Sequence, residues 1–453
     1  MIPRRELAAI RFGDGLPEGP SAGDPAALLA GLSGPDAMAK ALPGIDTATA
    51  AALRVRGAEA ATRFRAEPAS TEAKAAFDTT RAALRDSIAQ SARATLARAL
   101  DTPTPLRERL VRFWTDHFTT RTRGRYFQAY PSAHVEDAIR PHLSGRFADL
   151  LRAAILHPAM LVYLDQSASM GPGSAAGLRR GRGLNENLAR ELLELHTLGV
   201  GAAYVQHDVT ELAELLTGLV VNGQGAQEFR PAMAEPGPET VLGAAYRGEG
   251  ITPVLALLDD LAARPETAAH IARKLAVHFV SDTPDPGLVA AMEVAFLRTD
   301  GDLAAVYVAL LAHPAAWAEP FQKVRQPVDF IAAALRGLGV RGADLMALPD
   351  RTFRRHILQP MALMGQPWQA PRGPDGWPEA AADWITPQLL AARVAWAMEA
   401  PGELLASLPE PRDLVARVLG SAGTGPVAWA ATRAETRAEG AGVIFASPAF
   451  NRR

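Results

Sequence analysis

The chain of 453 residues contains no cysteine. This absence excludes disulfide bonds, thiolate catalysis, zinc sites with cysteine ligands and iron–sulfur clusters. No apolar run approaches the roughly 20 residues that a membrane-spanning helix requires. Basic and acidic residues nearly balance, at 47 and 49, so no overall field favours nucleic acid or an anionic membrane surface. We therefore expect no nucleic-acid partner and no membrane span.

The sequence also lacks the short motifs of several well-known active sites. It has no Gly-x-Ser-x-Gly, no phosphate-binding P-loop, no dinucleotide fingerprint that follows a predicted strand, and no His-Glu-x-x-His. Near the start, Arg4 and Arg5 are not followed by an apolar segment, because Glu6 and Asp14 intervene. An export signal of the usual kind is therefore not expected, and the compartment predicted from the residues is the cytoplasm.

Helical periodicity dominates what is present, which predicts an all-α protein with a multi-helix core. One segment differs, GLVVNGQGAQEFRPAMAEPGPETVLGAAYRGEG at 218–250, because glycine and proline punctuate short extended pieces at 219–221 and 240–242. It predicts a small irregular or β-hairpin element. We divide the chain into an N-terminal helical extension at 1–100, a helical core at 101–400 that includes this element, and a C-terminal helical segment at 401–453.

The segment NENLARELLELHTLGV at 185–200 predicts an amphipathic helix over 184–198. Its leucines recur on one stripe at helical spacing, and its polar side chains gather on the opposite face: Asn187, Arg190, Glu191 and Glu194. Asn185 is the expected N-cap, and Gly199 is the expected residue of positive φ beyond the end. In the next helix, 207–217, Asp208 is the expected N-cap, with Glu211 three residues later as in a capping box.

Two histidines fall on apolar helical stripes rather than on polar faces. His196 lies within the leucine stripe of 184–198, and His117 lies on the stripe of LRERLVRFWTDHFTT at 106–120. A buried imidazole needs partners for its ring nitrogens, and a carboxylate, a backbone carbonyl or a metal ion would serve. Two interpretations stay open: hydrogen-bonded core histidines, or ligands and catalytic groups that act with Glu191 and Glu194.

Several motifs occur together in one order along roughly residues 100–395. They are FWTDHF, HPAMLVYLD, NENLARELLELHTLGV, Tyr204, HDVTELAELLTG, TVLG, TAAHIARKLAVHFVSD and MGQPW followed by GWP. In this combination the chain resembles the large bacterial domain-of-unknown-function 1800 family (DUF 1800). The pattern of that family falls on Trp114, His117, Tyr163, Leu164, Asp165, Asn185, Glu186, Asn187, Arg190, Glu191, Glu194, His196, Thr197, Gly199, Tyr204, Asp208, Thr217, Gly218, Arg273, Lys274, Gly365, Gln366, Pro367, Gly376 and Trp377.

The resemblance carries expectations about setting and also shows a departure. Many members of the family are exported, and many are encoded beside a sulfatase-like or alkaline-phosphatase-like protein, so the resemblance implies such a partner and a periplasmic or exported alternative. In FRPAMAEPGPETVLG the family usually has a histidine and a lysine where this chain has Ala234 and Glu239. Any chemistry that needs those two side chains is lost in this member.

Two hypotheses about function follow. The first is a helical scaffold or binding protein that acts through a protein partner, with no cofactor evident. It includes a buried polar network that fixes helix 184–198 to its neighbours: Asn185, Glu186, Asn187, Arg190, Glu191, Glu194 and Lys274. The second is a hydrolytic or metal-dependent enzyme whose site combines His117, Glu191, Glu194 and His196. A divalent metal would then be the cofactor, with His117, His196 and Glu191 as ligands.

Overall fold

A computed structural model describes residues 2–15, 24–181, 183–318, 321–423 and 425–453. The chain is mainly α-helical, which confirms the predicted fold class. Proline at the first or second position begins many of the helices, because its missing N–H would have no intrahelical partner there. No helix of the described residues is long and apolar enough to cross a bilayer.

The helices follow one another along the chain, and the longest connection, between α12 and α13, contains the strands. They are α1 Arg4–Arg11, α2 Pro25–Ser33, α3 Ala37–Ala41, α4 Thr47–Ala66, α5 Thr71–Asp101, α6 Pro105–His117, α7 Tyr130–Ala133, α8 Phe147–Leu156, α9 Pro158–Tyr163, α10 Ala175–Arg180, α11 Asn187–Glu191, α12 Gln206–Leu215, α13 Thr252–Ala263, α14 Pro265–Phe279, α15 Pro286–Arg298, α16 Leu303–Ala312, α17 Pro327–Gly337, α18 Gly342–Ala347, α19 Asp350–Phe353, α20 Gln359–Leu363, α21 Pro387–Leu404, α22 Pro411–Leu419, α23 Pro426–Ala431, α24 Arg437–Ala446 and α25 Pro448–Asn451. Turns of π-helix occupy His134–Ile139, Leu192–His196 and Arg354–Leu358.

The small β element lies where the glycine- and proline-rich segment predicts it. Strand β1 (Leu219–Val221) pairs with β2 (Gln227–Phe229), and strand β3 (Glu239–Val241) pairs with β4 (Ala244–Tyr246). Both pairs are antiparallel hairpins. Since each strand has only three residues, these hairpins depend on packing against the helices for their stability.

Two large apolar clusters form the interior. One is built from α1, α2, α6, α8, α9 and the elements from α11 to α16. The other joins the C-terminal half of α5 to α17 and to the helices that follow it. Residues 89–100 of the predicted extension therefore pack against residues beyond 326. Residues 1 and 16–23 of that extension and residue 424 lie outside the described residues, and the division into three segments stays a prediction.

The amphipathic helix at 184–198 departs from its predicted form. Its first helical residue is Asn187 rather than Leu184, and the carboxamide of Asn185 accepts the N–H of Asn187 at 2.9 Å. From Leu192 to His196 the backbone widens into a π-helical turn. Gly199 has φ +92°, as expected. Periodicity indicates that a helix is present but does not distinguish i→i+4 from i→i+5 bonding, and π-turns are often found at functional sites.

The start of α12 and the partners of its acidic residues correct the sequence predictions. Helix α12 begins at Gln206, so Asp208 is its third residue and not its N-cap; one carboxylate oxygen of Asp208 accepts the N–H of Val205 at 2.9 Å. Glu211 instead accepts the N–H of Thr240 in β3 at 2.7 Å. Both acidic residues therefore bind backbone N–H groups outside the helix, and the Glu211 bond ties α12 to the second hairpin.

Candidate functional site

The two histidines on apolar stripes lie side by side in the interior. Their ring centroids are 5.7 Å apart, and their exposed fractions are 2% for His117 and 0% for His196. Helix α6 brings His117 there because its stripe of Leu106, Leu110, Phe113 and Trp114 is buried as predicted. The sequence interpretation of both histidines as buried side chains is therefore in agreement with the structure.

The π-helical turn explains why imidazoles are needed at this position. Nε2 of His117 lies 3.2 Å from the carbonyl oxygen of His196, and Nε2 of His270 lies 3.0 Å from the carbonyl oxygen of Leu195. Carbonyls at a helix end have no intrahelical donor, so the N–H groups of two imidazoles cap this turn. Gly199 is required beside them, because an added Cβ would lie 2.9 Å from Nδ1 of His270.

Burial keeps these imidazoles neutral. It lowers the pKa of His196 to about 3 and that of His270 to about 4, and it holds the pKa of His117 well below its usual value. The nearby ammonium of Lys274 lowers all three further. Neither ring nitrogen of His196, nor Nδ1 of His117, has a hydrogen-bond partner among the described residues.

The polar face of α11 is half-exposed and not buried. The side chains of Glu186, Arg190 and Glu194 retain 26% to 38% of their exposure. Arg190 pairs with Glu186 at 3.1 Å and with Glu194 at 3.6 Å. Gln206 and Thr210 of α12 complete this polar network, since each hydrogen-bonds Glu186 at 2.9 Å. The network is therefore not buried as expected, because only the apolar stripe on the opposite side of the helix packs into the core.

The surroundings of Asn185, Glu191 and Lys274, which were also predicted for this network, differ from one another. The backbone N–H of Asn185 donates to Ser169 at 3.0 Å. Burial raises the pKa of Glu191, and the charges of Glu194 and Asp375 raise it further. Lys274 belongs to a different group of charges, in which Asp116, Glu379 and Asp375 are the carboxylates nearest to it.

A cleft that sequence reasoning missed borders this second group. It measures about 100 Å³ and lies between α5, α6, α7 and the segment 364–377. Asp116 lines it, and burial raises the pKa of Asp116 to about 8, with the charge of Glu379 adding to the effect. The motif FWTDHF could have indicated this residue. Asp116 directly precedes His117 and therefore faces away from the apolar stripe of α6.

The backbone of Trp377 holds the cleft together at Asp116. Its N–H donates to the Asp116 carboxylate at 2.8 Å. This close approach needs glycine at 376, where φ is +81° and an added Cβ would lie 2.6 Å from Oδ1 of Asp116. Glu379, two residues further, accepts from His278 at 2.6 Å and pairs with Lys323 at 3.3 Å.

The two positions that depart from the family pattern lie beside the hairpins. Ala234 packs close to Gly218. Glu239 is 6% exposed, and its pKa is raised to about 7 by burial and by the neighbouring charges of Glu214 and Glu211. A lysine at 239 would offset those carboxylates, whereas Glu239 adds another.

The four residues proposed for an enzyme site do not share one surface. The two histidines are fully enclosed, whereas Glu191 and Glu194 lie on the partly exposed face of their helix. Within the part of the chain that the structure describes, no group of three or more histidine, cysteine, aspartate or glutamate side chains is placed to hold a metal ion. Metal binding by His117, His196 and Glu191 stays a prediction.

The fold and these sites define a mainly α-helical protein with a capped π-turn and a cleft lined by Asp116. The chain belongs to the family described as a protein of unknown function, DUF1800, whose model matches residues 21–452. This match confirms the resemblance seen in the motifs and extends it to nearly the whole chain. No curated protein and no solved structure matches the chain.

Proposed function

We propose that this protein is a binding protein that acts through a protein partner, and that the turn 199–205 beside α11 is its docking surface. The observation that carries the proposal is the exposure of two valines on this turn, 78% for Val200 and 63% for Val205. Large apolar side chains exposed beside a polar rim are the pattern of a protein interface.

The turn is fixed before any partner arrives. The N–H of Val205 donates to Asp208, that of Tyr204 to the carbonyl of Ala202 at 2.9 Å, and that of Gly199 to the carbonyl of Leu193 at 3.2 Å. The Tyr204 hydroxyl lies against the Glu194 carboxylate, and burial together with that carboxylate raises the pKa of Tyr204 to about 12. A rigid apolar turn loses little conformational entropy on binding, which favours affinity.

Charge indicates what kind of partner would fit. Residues 185–211 contain the carboxylates of Glu186, Glu191, Glu194, Asp208 and Glu211 but only one arginine, Arg190. A complementary surface therefore has an apolar pocket rimmed by lysine or arginine. The resemblance to the family points to a sulfatase-like or alkaline-phosphatase-like protein as the partner that carries this surface.

The enzyme alternative rests on one observation, the contact between His117 and His196. It has less support, because both imidazoles are enclosed and neutral while Glu191 and Glu194 lie on the partly exposed face. A role in which His117 and His270 cap the π-turn uses two of these imidazoles without chemistry. Such capping keeps the docking turn in place, since the turn begins directly after the capped residues.

The test is affinity capture of the intact chain from its own cells with two bait variants, Val200→Asp and Val205→Asp. We expect the wild type to enrich a sulfatase-like or phosphatase-like protein and each variant to reduce its recovery at least about tenfold, because a buried carboxylate would lack a partner. The matched control is Val308→Asp on α16, where Val308 is 49% exposed.

Two results would contradict the proposal. Equal losses in Val205→Asp and Val308→Asp would place the interface elsewhere and contradict the proposal. Failure of the wild type to enrich any partner over an unrelated bait would also contradict it. Because the rim is charged, recovery should fall as the salt concentration rises, since exposed charge pairs are screened within about 10 Å at 0.1 M salt.

A further inference from the structure

We propose that Lys274 on α14 is a covalent binding site, at which its amine forms an imine with an uncharged aldehyde or ketone and Asp116 acts as the acid. The inference is independent of the docking turn and goes beyond the binding of a protein partner. It rests on a cluster of side chains that the motifs TAAHIARKLAVHFVSD, FWTDHF and GWP bring together, and on the lack of any ion pair that would give Lys274 a structural role among the described residues.

The surroundings of Lys274 differ from those of a structural lysine. Within the described ranges of the chain, no carboxylate oxygen lies within 4.0 Å of its Nζ atom and no hydrogen bond reaches it. The side chain is nevertheless only partly exposed. Lys323, by contrast, is 1% exposed and contacts Asp282 at 2.7 Å and Glu379 at 3.3 Å. A partly buried ammonium without a counter-ion is costly, and the loss of its proton removes that cost.

Burial also favours the reactive form of Lys274. It lowers the pKa of this ammonium, although the carboxylates of Asp116, Glu379 and Asp375 act in the opposite direction. A lower pKa increases the fraction of free amine, which is the nucleophilic form of a lysine. His270, one turn earlier on the same helix, is kept neutral by burial, so it does not hold the proton on Lys274.

Asp116 has the properties of an acid that can act beside this amine. Its pKa is raised to about 8 by burial and by the charge of Glu379, so its carboxyl group is mainly protonated at neutral pH. The backbone N–H of Trp377 fixes its orientation by donating to Oδ1 at 2.8 Å. No hydrogen bond from the described residues reaches Oδ2. Both Oδ2 of Asp116 and Nζ of Lys274 keep surface that water can reach, so a small ligand has access to both.

Imine formation at this pair consumes one carbonyl compound and releases one water. The lone pair of Nζ forms a C–N bond with the carbonyl carbon, and one proton of the nitrogen moves to the carbonyl oxygen, which gives a carbinolamine. Asp116 protonates the new hydroxyl group, the C–O bond breaks and water leaves, while the nitrogen lone pair completes the C=N bond. The remaining N–H proton passes to the carboxylate of Asp116, which restores the acid. No oxidant or reductant is required.

The charges of the cluster favour an uncharged carbonyl compound. Although burial raises the pKa of Glu379, His278 and Lys323 hold it below its usual value, so this carboxylate is ionised at neutral pH. The carboxylate of Asp375 is exposed. Once Lys274 has lost its proton, these carboxylates repel an anionic carbonyl compound such as a 2-oxo acid. The adjoining cleft measures only about 100 Å³, which favours a short carbon chain.

The test uses the wild-type chain, which contains four lysines: Lys40, Lys74, Lys274 and Lys323. The folded protein is mixed with propanal at pH 7, and borohydride added after timed intervals reduces any imine to a stable amine. Peptide mass spectrometry then gives the rate of labelling at each lysine. Lys40 and Lys74 are exposed and act as internal controls. We expect Lys274 to be labelled at least about threefold faster than either, since each unit by which a pKa falls gives about tenfold more free amine.

Asp116→Asn tests the acid, because the carboxamide keeps an oxygen for the N–H of Trp377 but has no acidic proton. We expect labelling of Lys274 to become at least about tenfold slower in this variant, since general acids contribute about 10²- to 10⁴-fold. Asp149→Asn is the matched control, because the side chain of Asp149 is 47% exposed; its labelling should equal that of the wild type. Circular dichroism and melting temperature establish that both variants are folded.

Three results would overturn parts of the proposal. Labelling of Lys274 no faster than that of Lys40 and Lys74 would overturn the covalent site itself. Equal rates in Asp116→Asn and in the wild type would overturn the role of Asp116. If glyoxylate labelled Lys274 faster than propanal does, each relative to the two exposed lysines, the uncharged class of ligand would be wrong.

Discussion

Replacing His196 by leucine tests whether this imidazole has any partner. Among the described residues no hydrogen bond of ordinary geometry reaches either buried ring nitrogen, and an unpaired buried polar group costs about 1–3 kcal/mol. Leucine has a similar volume and suits the contacts with Phe118 and His117, whose ring centroids lie 5.1 and 5.7 Å from that of His196. We expect His196→Leu to raise the free energy of unfolding by about 2 kcal/mol near pH 7.5.

The same substitution should change the response to acid. The pKa of His196 is about 3 in the folded chain and about 6.5 in the unfolded chain. Between these values the unfolded chain binds a proton that the folded chain does not, so the wild type loses stability as the pH falls through this window. For one group the loss between about pH 7.5 and about pH 5 is about 2 kcal/mol. Leucine does not titrate, so the advantage of the variant should widen to about 4 kcal/mol near pH 5.

Urea denaturation at both pH values, followed by tryptophan fluorescence and by circular dichroism, measures these differences. His207→Leu is the matched control, because the side chain of His207 is 72% exposed on α12; it should change stability little at either pH. The reasoning would be refuted if His196→Leu lowered the free energy of unfolding, or if its gain in stability over the wild type were the same at both pH values. So would a stoichiometric metal in untagged wild-type protein that is absent from the variant, since the imidazole would then have a ligand role.

Two further substitutions test other buried features, and a third, at an exposed ion pair, is the control. Gly376→Ala should destabilise the chain by at least about 2 kcal/mol, because the residue has a positive φ and an added Cβ would meet Asp116; thermal melting measures the loss, and an unchanged melting temperature would contradict the geometry. Glu108→Ala should cost about 3–5 kcal/mol by urea titration, since it leaves the guanidinium of Arg140, paired at 2.8 Å and 3% exposed, without its most buried partner. Asp86→Ala removes a pair that is more than 40% exposed and should cost less than about 1 kcal/mol; equal effects would show that burial is not what matters.

The local patterns of this chain predicted most of what is local in the structure. The fold class, the hairpin element at 218–250, the positive φ of Gly199 and the burial of His117 and His196 all follow from periodicity and glycine placement. Periodicity could not reveal that Leu192–His196 forms a π-turn, because the choice depends on donors from elsewhere. Those donors are the rings of His117 and His270, 79 and 75 residues away along the chain.

The candidate sites divide in the same way. The sequence predicted the polar face of α11 but not its exposure, because exposure depends on which neighbouring elements cover that face. Here α12 supplies Gln206 and Thr210 and leaves the face half-exposed. The cleft was invisible in the sequence, since Thr115, Gln326 and Trp368 are far apart along the chain.

By itself, the sequence determined the helices, the family and the absence of thiol chemistry, since these depend on composition and short-range spacing. Only the tertiary structure decided which polar groups pair. Arg112 meets Asp14 and Asp329, while the hydroxyl of Thr115, one turn along the same helix, has no hydrogen-bond partner among the described residues. The physical reason is that a hydrogen bond or an ion pair requires contact within about 3 to 4 Å, and that contact is set by packing between distant segments.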